Sequence, residues 1–217
     1  MLKVIEPQYH NKDKPTIDSF LGLLKIYQKF YLSPETQDKA TFLIAEDDKR
    51  GIYGGAVVYS QNISSSLKLA ANDTDEACLG KMFSAFQPKG QEYWTARILC
   101  LGELDTSLPI LETASLYENF YKDLYICFTN FGEKEEIEYL PFTLQSTEAC
   151  FHNTFGLLPY KEWPYLIEVK LSDNSDGFFH GILSLKGNKF RLRKQGRISK
   201  GITPFPQTMT VLKGGLS

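Results

Sequence analysis

The hydrophobic period of this chain switches back and forth between helix and strand along its length, and that alternation is its tightest constraint. Leu2–Ile5 reads as a first strand. Ile17, Phe20, Leu21, Leu24, Tyr27 and Tyr31 then recur at the spacing of an amphipathic helix over Thr16–Tyr31, with Pro15 near its start and Pro34 beyond its end. Thr41–Asp47 and Ile52–Tyr59 are strand-like runs separated by Asp48-Lys49-Arg50-Gly51, which is turn chemistry, so the pair predicts a hairpin. Glu92–Leu101 is rich in β-formers, Pro109–Phe128 is a long amphipathic helix, and Glu136–Phe142 is another strand. Trp163–Leu171 and Phe178–Leu185 close the series around a polar six-residue turn, 172–177. A chain that interleaves helices and strands in this way must bury helix stripes against sheet faces. The expectation is an α+β (mixed α/β) domain: a six- or seven-stranded, mostly antiparallel sheet with helices on both faces. It spans residues 1–185, with 62–90 as an insertion and 186–217 as a basic C-terminal extension.

Charge is distributed unevenly. Residues 186–217 carry eight Lys or Arg and no carboxylate, whereas residues 1–185 carry 16 cations against 26 acids. An acidic body steers cationic partners toward it, and the seven cations of 186–200 suit an anionic partner. Only Phe190 interrupts that basic run, which disfavours a stacking platform for single-stranded nucleic acid. No run reaches the roughly 20 apolar residues of a membrane span, and the first residues lack a signal-peptide pattern, so a cytoplasmic location is expected. Cys78, Cys100, Cys127 and Cys150 are scattered and read as reduced, buried thiols. His10, His152 and His180 are equally dispersed, and no spacing suggests a metal.

One further segment carries chemistry. Ser146-Thr147-Glu148 can start a short helix, and Gly156 supplies the left-handed residue that ends one. An aromatic strand follows from Trp163. The stretch Phe151-His152-Asn153-Thr154-Phe155-Gly156-Leu157 resembles the closing motif of the Gcn5-related N-acetyltransferase superfamily, roughly Ala-x-x-Phe-Tyr-x-x-x-Gly-Phe. Phe151 and Gly156 match; Leu157 replaces the last Phe, and His152 stands in the tyrosine position. The hairpin 41–59 and the strand 92–101 are similar to that superfamily's central hairpin and fourth strand, and the element order agrees over residues 1–185.

The resemblance implies an acetyltransferase-like fold and an N-acetyltransferase activity toward a small-molecule or protein amine, with acetyl-CoA or another acyl-CoA as donor. It implies that the pantetheine arm lies along Ile98, Leu99, Cys100 and Leu101, and that the phosphates lie near Gly102, Thr106 and Ser107. Glu103 would accept the amine proton. His152 would protonate the leaving sulfur in place of the tyrosine, since an imidazole exchanges protons near neutral pH. The chain departs from the family in the phosphate loop, where Leu101-Gly102-Glu103-Leu104-Asp105-Thr106-Ser107-Leu108-Pro109 has one glycine and two acids. Carboxylates repel a pyrophosphate. That departure supports a second expectation, a non-catalytic adaptor of the same fold whose basic tail binds an anionic partner. The Arg-Phe-Trp signature of the cousin acyl-homoserine lactone synthases is absent near the N-terminus. Tyr93, Trp94 and Trp163 read as core or cleft-wall aromatics, and Glu92 as a solvated rim charge.

Overall fold

A computed structural model describes residues 2–48, 51–63, 90–101, 110–145, 166–169 and 178–185. By compactness the chain divides into Met1–Lys186 and Gly187–Ser217. The extension, most of the 62–90 segment, the short helix around 146–156 and the 172–177 turn lie outside the described residues.

Among the described residues seven strands form one sheet in the order β1-β2-β3-β4-β5-β7-β6. They are β1 (Leu2–Ile5), β2 (Thr41–Asp47), β3 (Gly51–Asn62), β4 (Glu92–Cys100), β5 (Tyr139–Gln145), β6 (Leu166–Val169) and β7 (Phe178–Ser184). Every neighbouring pair is antiparallel except β4 and β5. Three α-helices are described: α1 (His10–Gln28), α2 (Pro34–Lys39) and α3 (Ile110–Lys134). The expected mixed, mostly antiparallel architecture is present.

Two adjacent glycines show how the layers meet. Successive strand residues point to opposite faces. A Cβ on Gly55 would lie 2.7 Å from the Phe20 ring of α1, and one on Gly54 would lie 3.1 Å from the Phe120 ring of α3. The bare backbone of β3 therefore seats a phenyl ring on each side, with α1 and α3 on opposite faces. On the α1 side Ile5, Ile17, Phe20, Leu24, Phe42, Ile44, Val57 and Leu99 form one buried cluster. On the α3 side Phe120, Tyr121, Leu124, Tyr125 and Phe128 are buried at helical spacing. Burial of each large side chain contributes about 1.5–3 kcal/mol before entropy is counted. At the end of α3, Lys134 Nζ donates to Glu6 Oε1 at 2.6 Å. Hydrogen bonds from Lys134 and Gln8 hold the Glu6 carboxyl below its usual range.

Several element boundaries differ from the sequence expectation. Helix α1 starts at His10, ahead of the expected Thr16, and kinks at Asp13, which has φ −106° and ψ 15°. Pro15 lies in the first turn after that kink, near a helix start as expected, where its missing N–H costs little. The helix ends at Gln28, not Tyr31, because Lys29 adopts a left-handed φ of 48°. Helix α3 runs on to Lys134, and Glu136 turns with φ 55°, so β5 begins at Tyr139 instead of Glu136. Helix α2 is additional: Ser33 caps it by accepting from the Thr36 N–H at 3.2 Å, and Pro34 sits in its first turn.

Cys100 and Cys127 are free thiols, buried and half-buried respectively. Burial, then the charge of Asp123, pushes the Cys127 thiol up to about 11. At pH 8 about one thiol in a thousand is then ionised, and only the thiolate attacks electrophiles. Iodoacetamide at pH 8 should therefore label Cys127 far more slowly than an unhindered cysteine, as read by peptide mass mapping. Labelling at the free-cysteine rate would contradict this environment.

Candidate active site at the sheet opening

Backbone alternation along β4 and β5 defines the site. The Leu101 N–H donates to Tyr53 O at 2.9 Å, so Leu99 and Leu101 turn their main-chain groups toward β3. Ile98 and Cys100 consequently turn theirs away from β3, toward β5. On the other strand, Leu185 N–H donates to Glu138 O at 2.7 Å. That phase assigns Leu140, Phe142 and Leu144 to the β7 ladder and leaves Pro141, Thr143 and Gln145 facing β4.

Between these two edges the parallel ladder is very short. Its registered pairs are Ala96↔Phe142 and Arg97↔Thr143. On one side Pro141 has no N–H to offer β4, and the Thr95 hydroxyl donates to its carbonyl at 3.0 Å. On the other side the Ile98 carbonyl accepts from Gln28 Nε2 at 2.7 Å. Past the Arg97↔Thr143 pair, Ile98 and Cys100 on β4 and Gln145 on β5 turn their main-chain groups toward the neighbouring strand.

The wall on the α1 side is polar inside an apolar frame. Gln28 is 3% exposed. Its Oε1 accepts from Arg97 Nε at 2.7 Å. The Arg97 guanidinium lies 5.1 Å over the Phe30 ring, a cation–π distance. Phe30 in turn tilts against Tyr59 at 5.6 Å between ring centroids. Burial raises the Tyr59 phenol well above its ordinary value, and the nearby Arg97 charge opposes that shift. Tyr59 thus stays protonated throughout the neutral range, with its O–H available as a donor.

The sequence-derived site residues divide in two. Ile98, Leu99 and Cys100 are buried on β4, and Leu101 is half-buried just after it. Of these four, only Ile98 and Cys100 direct main-chain groups toward β5. Gly102, Glu103, Thr106, Ser107 and His152 lie outside the described residues. Glu92 is at the rim, accepting from Ser60 Oγ at 2.8 Å, and the Trp94 ring packs edge-on against Phe131 at 5.1 Å. Sequence reasoning missed Gln28 and Arg97. Their signals were present: a glutamine closing an apolar helix stripe, and a lone arginine within Tyr93-Trp94-Thr95-Ala96-Arg97-Ile98-Leu99.

A parallel β4–β5 pair inside an otherwise antiparallel sheet, with helices on both faces, is the architecture that the sequence resemblance implies. No protein-family model and no curated protein matches the sequence. Among solved structures the chain is similar to a CoA-dependent acyl-homoserine lactone synthase, BjaI, bound to SAM and isopentyl-CoA. The TM-score is 0.48 and the identity 9% over 94% of each chain. A second such synthase, MesI, gives a TM-score of 0.45 at 9% identity, over 93% of this chain and 97% of its own. FeeM, an N-acyl amino acid synthase from uncultured soil microbes, gives 0.41 at 12% identity, over 91% and 99%. These are likenesses of overall trace.

Proposed function

We propose that the chain is an acyl-CoA-dependent N-acyltransferase acting on a small-molecule or protein amine. The observation that carries the reading is the short parallel β4–β5 ladder inside an otherwise antiparallel sheet. The phase of β4 turns the Cys100 main-chain groups toward the β5 side, beyond the last registered pair. A pantetheine arm bears amides and can add to such an edge as a peptide strand does. The fit is partial along the edge, because Gln28 already engages the Ile98 carbonyl and Tyr53 the Leu101 N–H. Gly102, Thr106 and Ser107, between β4 and α3 in the sequence, are the positions this reading assigns to the phosphates.

Bound acyl-CoA supplies a thioester, which activates the acyl carbon toward an amine. In this reading Glu103 removes a proton from the acceptor amine, directly or through water. His152 delivers a proton to the sulfur as the thiol leaves. The two transfers balance, and both groups return to their starting states by exchange with solvent.

A thermal melt with acetyl-CoA and longer acyl-CoAs tests the proposal. A ligand at 100 times its dissociation constant stabilises the folded state by about 2.7 kcal/mol. For a chain of this length that is a rise of about 5–10 °C. Neither heat of binding nor any rise at millimolar acyl-CoA would remove the enzyme reading. Salt-dependent binding of a polyanion by residues 186–200 would then favour the adaptor, which the two acids of the phosphate loop already recommend.

A further inference from the structure

The surface where α1 ends departs from the ordinary pattern of an amphipathic helix. Ile17, Phe20, Leu24 and Gln28 turn inward and are buried. Ile26 is two residues from both Leu24 and Gln28, about 200° around the helix, and is 71% exposed. A helical side chain leans toward the N-terminus, so Ile26 leans over Gly22 one turn back. Gly22 gives it no cover: a Cβ there would meet nothing within 4 Å. Tyr27 is exposed beside it. The chain then reverses at the left-handed Lys29 and sends Tyr31 outward. Ile26 and Tyr31 are the two most exposed large apolar side chains among the described residues. The Lys25 ammonium lies 5.6 Å over the Tyr31 ring and ties it to the last turn of α1.

Charge also sets this patch apart. Residues 1–185 carry 26 acids, yet none falls between Ser19 and Pro34, where Lys25 and Lys29 are both exposed. Tyrosine has an apolar ring and a polar tip, and lysine an apolar stem and a charged head. Both suit a boundary that is apolar beneath and anionic at its surface. The net acidic body is repelled by such a boundary, so the repulsion itself turns this patch toward it. A second copy of the chain is a poorer occupant. Three large side chains expose a few hundred Å² at most, against roughly 800 Å² per partner in a standard interface. A lipid surface needs no matching shape and takes side chains from one side only.

We propose that the end of α1 is a docking site for an anionic lipid surface. Ile26, Tyr27 and Tyr31 enter the headgroup boundary, and Lys25 and Lys29 pair with the acidic groups of the lipids. The association is peripheral and reversible, since the patch has far less apolar area than a membrane span. It does not rest on the acyltransferase reading. Residues 186–217, with eight cations and no acid, are drawn to the same class of surface in their own right.

The full chain is sedimented with vesicles of phosphatidylcholine alone and with vesicles that also contain phosphatidylserine. The wild type should partition to the mixed vesicles, not to the neutral ones, and less as salt is raised. Replacing Ile26→Ser and Tyr31→Ser together should weaken partitioning by at least about tenfold. Lys25→Gln with Lys29→Asn should weaken it by about tenfold, asparagine being chosen because it accepts a left-handed backbone. All four side chains are exposed, so the melting temperature should barely move. Tyr31→Trp reports the contact itself: its emission should shift to the blue on mixed vesicles, with the wild type as the blank. Partitioning that survives the Ile26 and Tyr31 substitutions overturns the proposal and assigns the affinity to residues 186–217. A wild type that ignores both kinds of vesicle overturns it and leaves an acidic protein as the occupant to seek. Equal partitioning to neutral vesicles, or none lost on replacing the lysines, overturns it as well. A missing response to acyl-CoA fells only the enzyme reading.

Discussion

Gly55→Ala should destabilise the protein by about 2–3 kcal/mol, at the upper end of what overpacking costs. Glycine in a strand usually invites the opposite outcome, since alanine restricts the unfolded chain and gains about 0.4–1 kcal/mol where the site accepts it. This site does not accept it. The new Cβ would lie 2.5 Å from Leu43 O and 2.7 and 2.9 Å from two carbons of the Phe20 ring. The carbonyl belongs to β2, where Ile44 is the registered partner of Gly55, so it cannot retreat without loosening the ladder. The ring is fully buried and anchors α1. For a chain of this size the loss corresponds to a fall in melting temperature of about 4–12 °C. Gly54→Ala is the internal control. Its closest contacts are 3.1 Å to the Phe120 ring and 3.2 Å to Leu99 O, so about 1 kcal/mol suffices. A urea melt in which Gly55→Ala matches the wild type would show that Phe20 does not set the distance between α1 and the sheet.

His152→Ala should lower turnover by at least about tenfold while acyl-CoA affinity stays within a factor of a few. General acid assistance is worth about 10²–10⁴-fold in favourable cases. A thiolate is a weak enough base that the lower part of that scale applies. His152→Tyr should recover part of the rate, because a phenol can deliver the same proton from a similar place. A histidine acting only as a cation at a helix end predicts a different pattern: a loss of at most about 1 kcal/mol of stability and no change in rate. A full-rate alanine variant ends the catalytic assignment of His152.

The strands were largely legible because their signal is dense. The hairpin needed only Gly51 and the two apolar runs beside it, and Leu2–Ile5 and Thr41–Asp47 were read residue for residue. Helix ends were less legible, for reasons that are tertiary. Apolar periodicity runs on to Tyr31, yet Tyr31 is 67% exposed, since Lys29 reverses the chain without the glycine that announces such a turn. Pro15 advertises a helix start correctly, since it falls in the first turn after the kink at Asp13; the helical turn that precedes the kink from His10 carries no such sign. Helix α2 carried its own signature in Ser33-Pro34 and was passed over as a breaker. Along β4, motif comparison led to the residues that the proposed function assigns to the acyl donor. It could not lead to Gln28 and Arg97, because their importance lies in a bond made across 69 residues of sequence. No local pattern encodes such a meeting.

Pro141 bears on the fidelity of assembly. In the native alignment its ring nitrogen faces β4 at a place where the ladder has already ended, so the missing donor costs nothing. A slip of β5 by one residue against β7 would swing that nitrogen into the antiparallel ladder and forfeit one of its bonds. The same slip would reverse the facing of Leu140, Phe142 and Leu144, all of which are buried. One imino acid thus penalises the nearest misalignment of the sheet at no expense to the correct one, and the alignment it protects also sets which groups of β5 face β4.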